Sequence, residues 1–145
     1  MTTRRYGFAI VGAGVIAPFH ARAIQSLPNA VLRAFVDDVP EIAHQRATEF
    51  GVDAYTQLDP VLERPDVDVV CITTPTGLHA ALASRAVEAG KHVVVEKPID
   101  VSLEAADRLI TTCRRAGVKC TVISQRRWDP GVQLLKRALD QSLLG

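Results

Sequence analysis

The run Gly12-Ala13-Gly14-Val15-Ile16-Ala17 follows an apolar segment, Phe8-Ala9-Ile10-Val11, and leads into residues that can continue as a helix. Strand, glycine turn and helix in that order make a phosphate cradle. Gly12 permits the tight turn, Gly14 lets the backbone approach a pyrophosphate, and Ala17 is small enough for the helix to pack on the strand. Val15 and Ile16 carry the chain into that helix, whose unpaired N–H groups and positive dipole end then face the phosphates. About 20 residues on, after a second apolar run from Val31 to Val36, stands Asp37-Asp38, where a ribose hydroxyl needs an acidic acceptor. A methyl-donor-binding fold also places an acid after its second strand, but it usually has a further glycine two residues after Gly14, where this sequence has Ile16. The pattern therefore favours a dinucleotide. Asp37 can accept from a ribose 2′-OH and would repel a 2′-phosphate, and Asp38 adds a second negative charge, so NAD is expected and NADP disfavoured.

A second candidate group is Glu96-Lys97-Pro98, which follows the apolar run His92 to Val95. A lysine at the carboxyl end of an inner strand can polarise a carbonyl oxygen or relay a proton. The plain alternative is a solvated surface lysine. Glu96 reads equally as a ribose contact or as a partner that neutralises Lys97. His20 and His79 fall in the first turns of helices and read as structural histidines. Asp37 could instead cap the helix that begins at Pro40, although Asp38 is the better cap candidate. Arg126, Arg127 and Trp128 fit an anion or cofactor contact and equally a surface cation–π pair.

These residues need a scaffold, and the hydrophobic pattern supplies one. Helices are expected over 15–27, from Pro40 to a stop at Gly51, over one or two turns from Asp59 to Arg64, from Leu78 to a stop at Gly90, and from a Ser102 cap to Gly117. Their apolar stripes are Ile42, Ala43, Ala47 and Phe50 in the second; Leu78, Leu82 and Ala86 in the fourth; Leu103, Ala106, Ile110 and Cys113 in the fifth. Strands are expected at 8–11, 31–36, 54–55, 67–73, 91–95 and 118–123. Such alternation calls for an α/β, Rossmann-type doubly wound and mostly parallel sheet with helices on both faces. Ligands bind such sheets outside the carboxyl ends of the strands, which is where the glycines, Asp37, Thr73, Thr74, Pro75, Glu96 and Lys97 all fall.

Composition narrows the partners. The 145 residues are 48% hydrophobic and 23% charged, the usage of an ordinary globular domain. With 17 Lys plus Arg against 16 Asp plus Glu, net +1, there is no basic surplus to attract nucleic acid or anionic lipid. Cys71, Cys113 and Cys120 form no C-x-x-C pair and read as small core hydrophobes in a reducing compartment; no metal is expected. No run approaches about 18 apolar residues, and the start lacks a convincing cleavage site. A cytoplasmic location is expected.

Taken together, the strand ends resemble the Gfo/Idh/MocA oxidoreductases, named for glucose–fructose oxidoreductase and inositol dehydrogenase. The matching pieces are Gly12 to Ala17 with His20, Asp37, Thr74-Pro75-Thr76-Gly77-Leu78-His79, the run Ala89 to Pro98, and Gln125 to Pro130. Gly90-Lys91-His92-Val93-Val94-Val95-Glu96-Lys97-Pro98 is the most specific of them. The resemblance implies that Thr73, Thr74, Pro75 and His79 lie along the cofactor, with Glu96 near the nicotinamide ribose and Arg126 as a further contact. It implies that Lys97 reaches between nicotinamide and substrate as the catalytic residue, and that the Lys97–Pro98 bond is cis. It also implies hydride exchange with sugars, inositols and related polyols, or with biliverdin and dihydrodiols; a homo-oligomer is expected from the apolar stripe of the closing helix, Val132, Leu135, Leu139 and Leu143. Residues 1–124 would then be the dinucleotide-binding domain. Residues 125–145 would be the start of a substrate domain that is otherwise absent, one helix carrying Val132, Leu135, Leu139 and Leu143. No histidine follows His92, so the Asp-x-x-x-His pair of many family members is missing and the sequence reads as a fragment or a truncated reading frame. A non-catalytic dinucleotide-binding regulatory module is the alternative.

Overall fold

The computed structural model describes residues 4–143. In chain order they form β1 (Tyr6–Val11), α1 (Ala17–Gln25), β2 (Ala30–Val36), α2 (Pro40–Phe50), β3 (Asp53–Tyr55), α3 (Asp59–Leu62), β4 (Val69–Ile72), α4 (His79–Glu88), β5 (His92–Val95), α5 (Leu103–Ala116), β6 (Cys120–Val122) and α6 (Pro130–Asp140). Single 3₁₀ turns at Thr76–Leu78 and Gln125–Trp128 precede α4 and α6. The six strands make one sheet in the order 3-2-1-4-5-6, and every pairing is parallel. Parallel strands need crossovers, and a sheet clothed on both sides explains why β1 and β4 are apolar throughout.

Successive strand residues face opposite ways, which splits the core in two. Ile10, Phe35 and Cys71 pack under Ala17, Ala21 and Ile24 of α1. Val11, Val36, Ile72 and Val95 pack on the other face against α3, α4 and α5, where Ala83, Val87 and Leu109 are fully buried. Burial pushes the Cys71 thiol up to about 12, and burial together with neighbouring Cys113 does the same for Cys120.

Several expectations are corrected. Helix α1 begins at Ala17, not Val15, because Pro18 suits a first turn and Val15 and Ile16 stay exposed in the bend before it. The buried stripe of α5 is Ala106, Leu109 and Cys113, so Leu103 faces solvent and Ile110 lies at the rim. In α4 the small residues Ala80, Ala83 and Ala86 meet the sheet with Val87, while Leu78 sits exposed in the preceding 3₁₀ turn. Alanines win these positions because they allow close helix–sheet approach. In α2, Ala43 and Ala47 are buried and Ile42 lies at the rim. The edge strand β6 is only three residues long and none of them is fully buried. Helix α6 buries nothing: Val132, Leu135, Leu139 and Leu143 are all exposed.

Two members of the Gly90-Lys91-His92 run are structural. Lys91 Nζ donates to the carbonyls of Arg64 and Val67, 2.8 Å to each, closing the loop that enters β4. His92 Nδ1 accepts from Lys119 N at 3.1 Å, which aligns the start of β6. No helix among the described residues is long and apolar enough to cross a membrane.

Candidate dinucleotide-binding site

The order 3-2-1-4-5-6 reverses direction between β1 and β4, and the carboxyl ends of those strands define the crevice where such sheets bind ligands. Gly12, just past β1, has φ +91°, and a Cβ there would come within 2.7 Å of the Thr73 and Thr74 backbone. Only glycine fits. Its N–H donates to Val36 O at 2.8 Å, fastening the turn to β2. Gly14 is different, since a Cβ there would meet nothing within 4 Å. The space before α1 is open and no side chain caps that helix. Ala17 N and Phe19 N bond back to Gly14 O and Ile16 O, whereas the N–H groups of Gly14, Val15 and Ile16 in the turn have no partner among the described residues and stay available to an anion.

Asp37 closes the next wall. Its Oδ2 accepts from Ala13 N at 2.7 Å and its Oδ1 from Val39 N at 3.0 Å. Asp37, not Asp38, therefore supports the turn into α2, whose N-cap is Val39 without a side-chain cap. Each carboxylate oxygen retains a lone pair for a hydroxyl donor. Arg46 of α2 holds the next peptide unit, on the other side of Ala13, donating from Nε to Ala13 O at 3.1 Å. Sequence reading passed over Arg46, and nothing in its spacing distinguishes it from an ordinary helix-surface arginine.

Between these walls lies a cavity of about 320 Å³, bounded by Gly12, Asp37, Asp38, Thr74, Pro75 and Arg85. Thr74 Oγ1 is buried without a hydrogen-bond partner among the described residues. Thr73 points elsewhere: its hydroxyl lies 3.0 Å from Val11 O and 2.6 Å from Gly12 O, donating to one at a time and latching β4 to the end of β1. The open cradle at Gly14, the free acceptors on Asp37 and the unpaired Thr74 hydroxyl together fit a ribose and pyrophosphate.

The end of β5 is tied on two sides. Glu96 Oε1 lies 2.8 Å from His20 Nε2, both side chains being about nine-tenths buried, and Glu96 Oε2 accepts from Lys97 N at 3.1 Å. The carboxylate thus serves His20 and the lysine backbone, and does not neutralise the Lys97 ammonium. Lys97 is exposed, and its bond to Pro98 is cis, as the resemblance implied. His79 is 1% exposed, and both its ring nitrogens are engaged with backbone carbonyls. Arg126 lies apart from the cavity, 84% exposed at its side chain and 3.5 Å from Asp129 Oδ2. Among the described residues Trp128 makes no cation–π pair; those present are Arg4 with Tyr6 and Arg64 with Tyr55.

Fold and site together define a Rossmann-type NAD-binding domain. A family model described as "Oxidoreductase family, NAD-binding Rossmann fold" matches residues 6–124, so the chain belongs to the Gfo/Idh/MocA oxidoreductase family. Over 140 residues it is 36% identical to the scyllo-inositol 2-dehydrogenase (NAD(+)) of Bacillus subtilis (strain 168), covering 94% of this chain and 41% of that protein. It is 34% identical over 145 residues to the inositol 2-dehydrogenase of Rhizobium meliloti (strain 1021), covering 100% and 43%. Among solved structures, the WlbA dehydrogenase from Bordetella pertussis in complex with NADH and UDP-GlcNAcA superposes with a TM-score of 0.93 at 34% identity, covering 98% of this chain and 44% of that one. The chain thus spans about two-fifths of the length of the curated relatives it matches.

Proposed function

We propose that these residues form the NAD-binding half of a dehydrogenase acting on a sugar, an inositol or a related polyol. The observation that carries the reading is the convergence of Gly12, Asp37 and Thr74 from three strand ends on one cavity, with Lys97 on the next strand end. The glycine turn and the start of α1 take the pyrophosphate, and Asp37 takes the adenosine ribose hydroxyls. Bound nicotinamide supplies a hydride acceptor or donor at C4. Lys97 is the residue placed to hold or relay the substrate hydroxyl proton from Nζ, and Glu96 fixes the lysine backbone from below. The similarity to inositol dehydrogenases supports the substrate class.

On this reading the 145 residues by themselves bind dinucleotide without turnover. Catalysis also needs a walled substrate pocket and a base within about 3 Å of the reacting hydroxyl, whereas Lys97 stands open to water. Copies associate through the exposed apolar stripe of α6. Titrating the chain with NADH, followed by fluorescence, tests the binding. Steady NADH production from inositol by the chain alone would refute the second part, and light scattering with and without residues 131–145 reads the association.

A further inference from the structure

His79 opens α4 and is almost completely enclosed, yet it touches two loops that belong to different strands. Its Nε2 lies 2.8 Å from the carbonyl oxygen of Thr74, just after β4. Its Nδ1 lies 2.8 Å from the carbonyl oxygen of Pro98, just after β5. A carbonyl oxygen only accepts, so both hydrogen bonds exist together when each ring nitrogen carries a proton. Asp100 Oδ2 accepts from Ala80 N at 2.9 Å. That backbone hydrogen bond chiefly, with those from Val101 N and Ser102 N, holds the Asp100 carboxyl below the usual carboxylate range.

The ring has no nitrogen left to hydrogen-bond a ligand, although the family resemblance places His79 along the cofactor. We propose that His79 is instead a positioning residue: it fixes the Lys97-Pro98 turn against the Thr74-Pro75 strand end and thereby shapes the nicotinamide side of the site. The segment is then held at both ends. Glu96 Oε2 takes the Lys97 N–H ahead of it, and His79 takes the Pro98 carbonyl behind it. The side chain of Lys97, between those two anchors, starts from a backbone that cannot swing. Removing the ring would leave two enclosed carbonyls seeking water and would let the two strand ends separate.

This inference rests on the dinucleotide reading above, and the experiment separates the two. In His79→Gln the side-chain amide sits where Nε2 was and keeps a donor for Thr74 O, while the donor to Pro98 O is lost. The wild-type chain and the variant are each titrated with NADH and with ADP, which carries the adenosine and phosphates but no nicotinamide. The expected result is that the variant binds NADH about ten-fold more weakly and ADP within about two-fold of wild type. In ¹⁵N-labelled wild-type protein the His79 ring should show a proton on both nitrogens. Equal weakening for NADH and ADP would make His79 merely structural and overturn the proposal, as would unchanged NADH binding. A ring with one bare nitrogen would overturn it too, and that spectrum decides the matter if the variant does not fold. Wild-type protein that binds neither ligand would overturn the dinucleotide reading itself, and this inference with it.

Discussion

His20 and Glu96 are 76 positions apart and meet at 2.8 Å, joining the first turn of α1 to the end of β5. The contact runs beneath the lysine turn and ties it to the helix that carries the glycine cradle. Because both side chains are largely enclosed, removing either one strands the other in a poorly solvated place. His20→Leu should destabilise the chain by about 1–3 kcal/mol in urea unfolding. In a cycle with Glu96→Gln, the double variant should lose less than the sum of the singles, with a coupling of about 1 kcal/mol or more. Strict additivity would mean the pair adds nothing.

Asp37 should set cofactor preference. Its carboxylate is held in place by Ala13 N and Val39 N, and it has Asp38 beside it in the cavity wall. Two unit charges about 4 Å apart repel by about 4 kcal/mol at an effective dielectric of about 20, so a 2′-phosphate is strongly disfavoured. NADH should bind at least about ten-fold more tightly than NADPH. Asp37→Ser should narrow that gap while weakening NADH, since it also releases the Ala13 peptide. Tighter NADPH binding by the wild-type chain would sink the assignment.

Much of this was legible before any coordinates, for reasons that can be traced to particular residues. The apolar runs at β1, β2, β4 and β5 and the glycine at position 12 are local signals, so element order and the crevice followed from them. Ser102 capping α5, with Ala105 N 3.2 Å from its Oγ, is likewise local. What stayed hidden depends on which distant group a side chain meets. Nothing near Glu96 in sequence says that it faces His20 and not the Lys97 ammonium, and nothing near Arg46 says that it reaches Ala13. The helix stripes differ from expectation at Leu103 and Leu78, which face solvent, and by one position at Ile110, whose neighbour Leu109 is the buried residue, because the pattern of large apolar side chains does not reveal that alanines make most of the close approach to the sheet. Gly7 was overlooked for the same reason: a Cβ there would strike Asp66 O at 1.7 Å, a contact made 59 residues away.

The chain should lose stability in acid through a defined set of carboxylates. Asp68 is pushed up by burial, but the N–H of Gly7 and the Arg4 guanidinium outweigh this and hold it below its ordinary value of 3.8. Asp66 is lowered by its hydrogen bonds from Arg64, and Asp100 by the N–H of Ala80. A carboxyl depressed in the folded state binds its proton more readily when unfolded, so its contribution is complete above the ordinary value. That contribution disappears as pH falls through the lower folded value. Stability should therefore be flat in this respect near neutrality and fall below pH 3.8. Asp68→Asn should lower stability at pH 7 and show a shallower decline in acid, read from urea midpoints at each pH. A variant whose acid curve parallels wild type would remove Asp68 from the set.

The two glycines of the cradle should separate folding from binding. Gly12 has φ +91° and backbone atoms of Thr73 and Thr74 where a Cβ would go, so Gly12→Val must push the ends of β1 and β4 apart. Strained φ and overpacking together cost about 3 kcal/mol or more, and the unfolding midpoint should drop accordingly. Gly14 has neither constraint, because its φ is ordinary and the space around it is empty. Gly14→Val should keep the unfolding free energy within about 0.5 kcal/mol of wild type. Its branched side chain nevertheless fills the approach to the first turn of α1, where a pyrophosphate must come close to the backbone N–H groups. NADH and ADP binding should therefore both disappear in calorimetric titration of a variant that is still folded. A Gly14→Val chain that binds ADP as wild type does would move the phosphate site away from this turn, and a Gly12→Val chain of wild-type stability would mean that β1 and β4 do not close on each other as tightly as the structure has them.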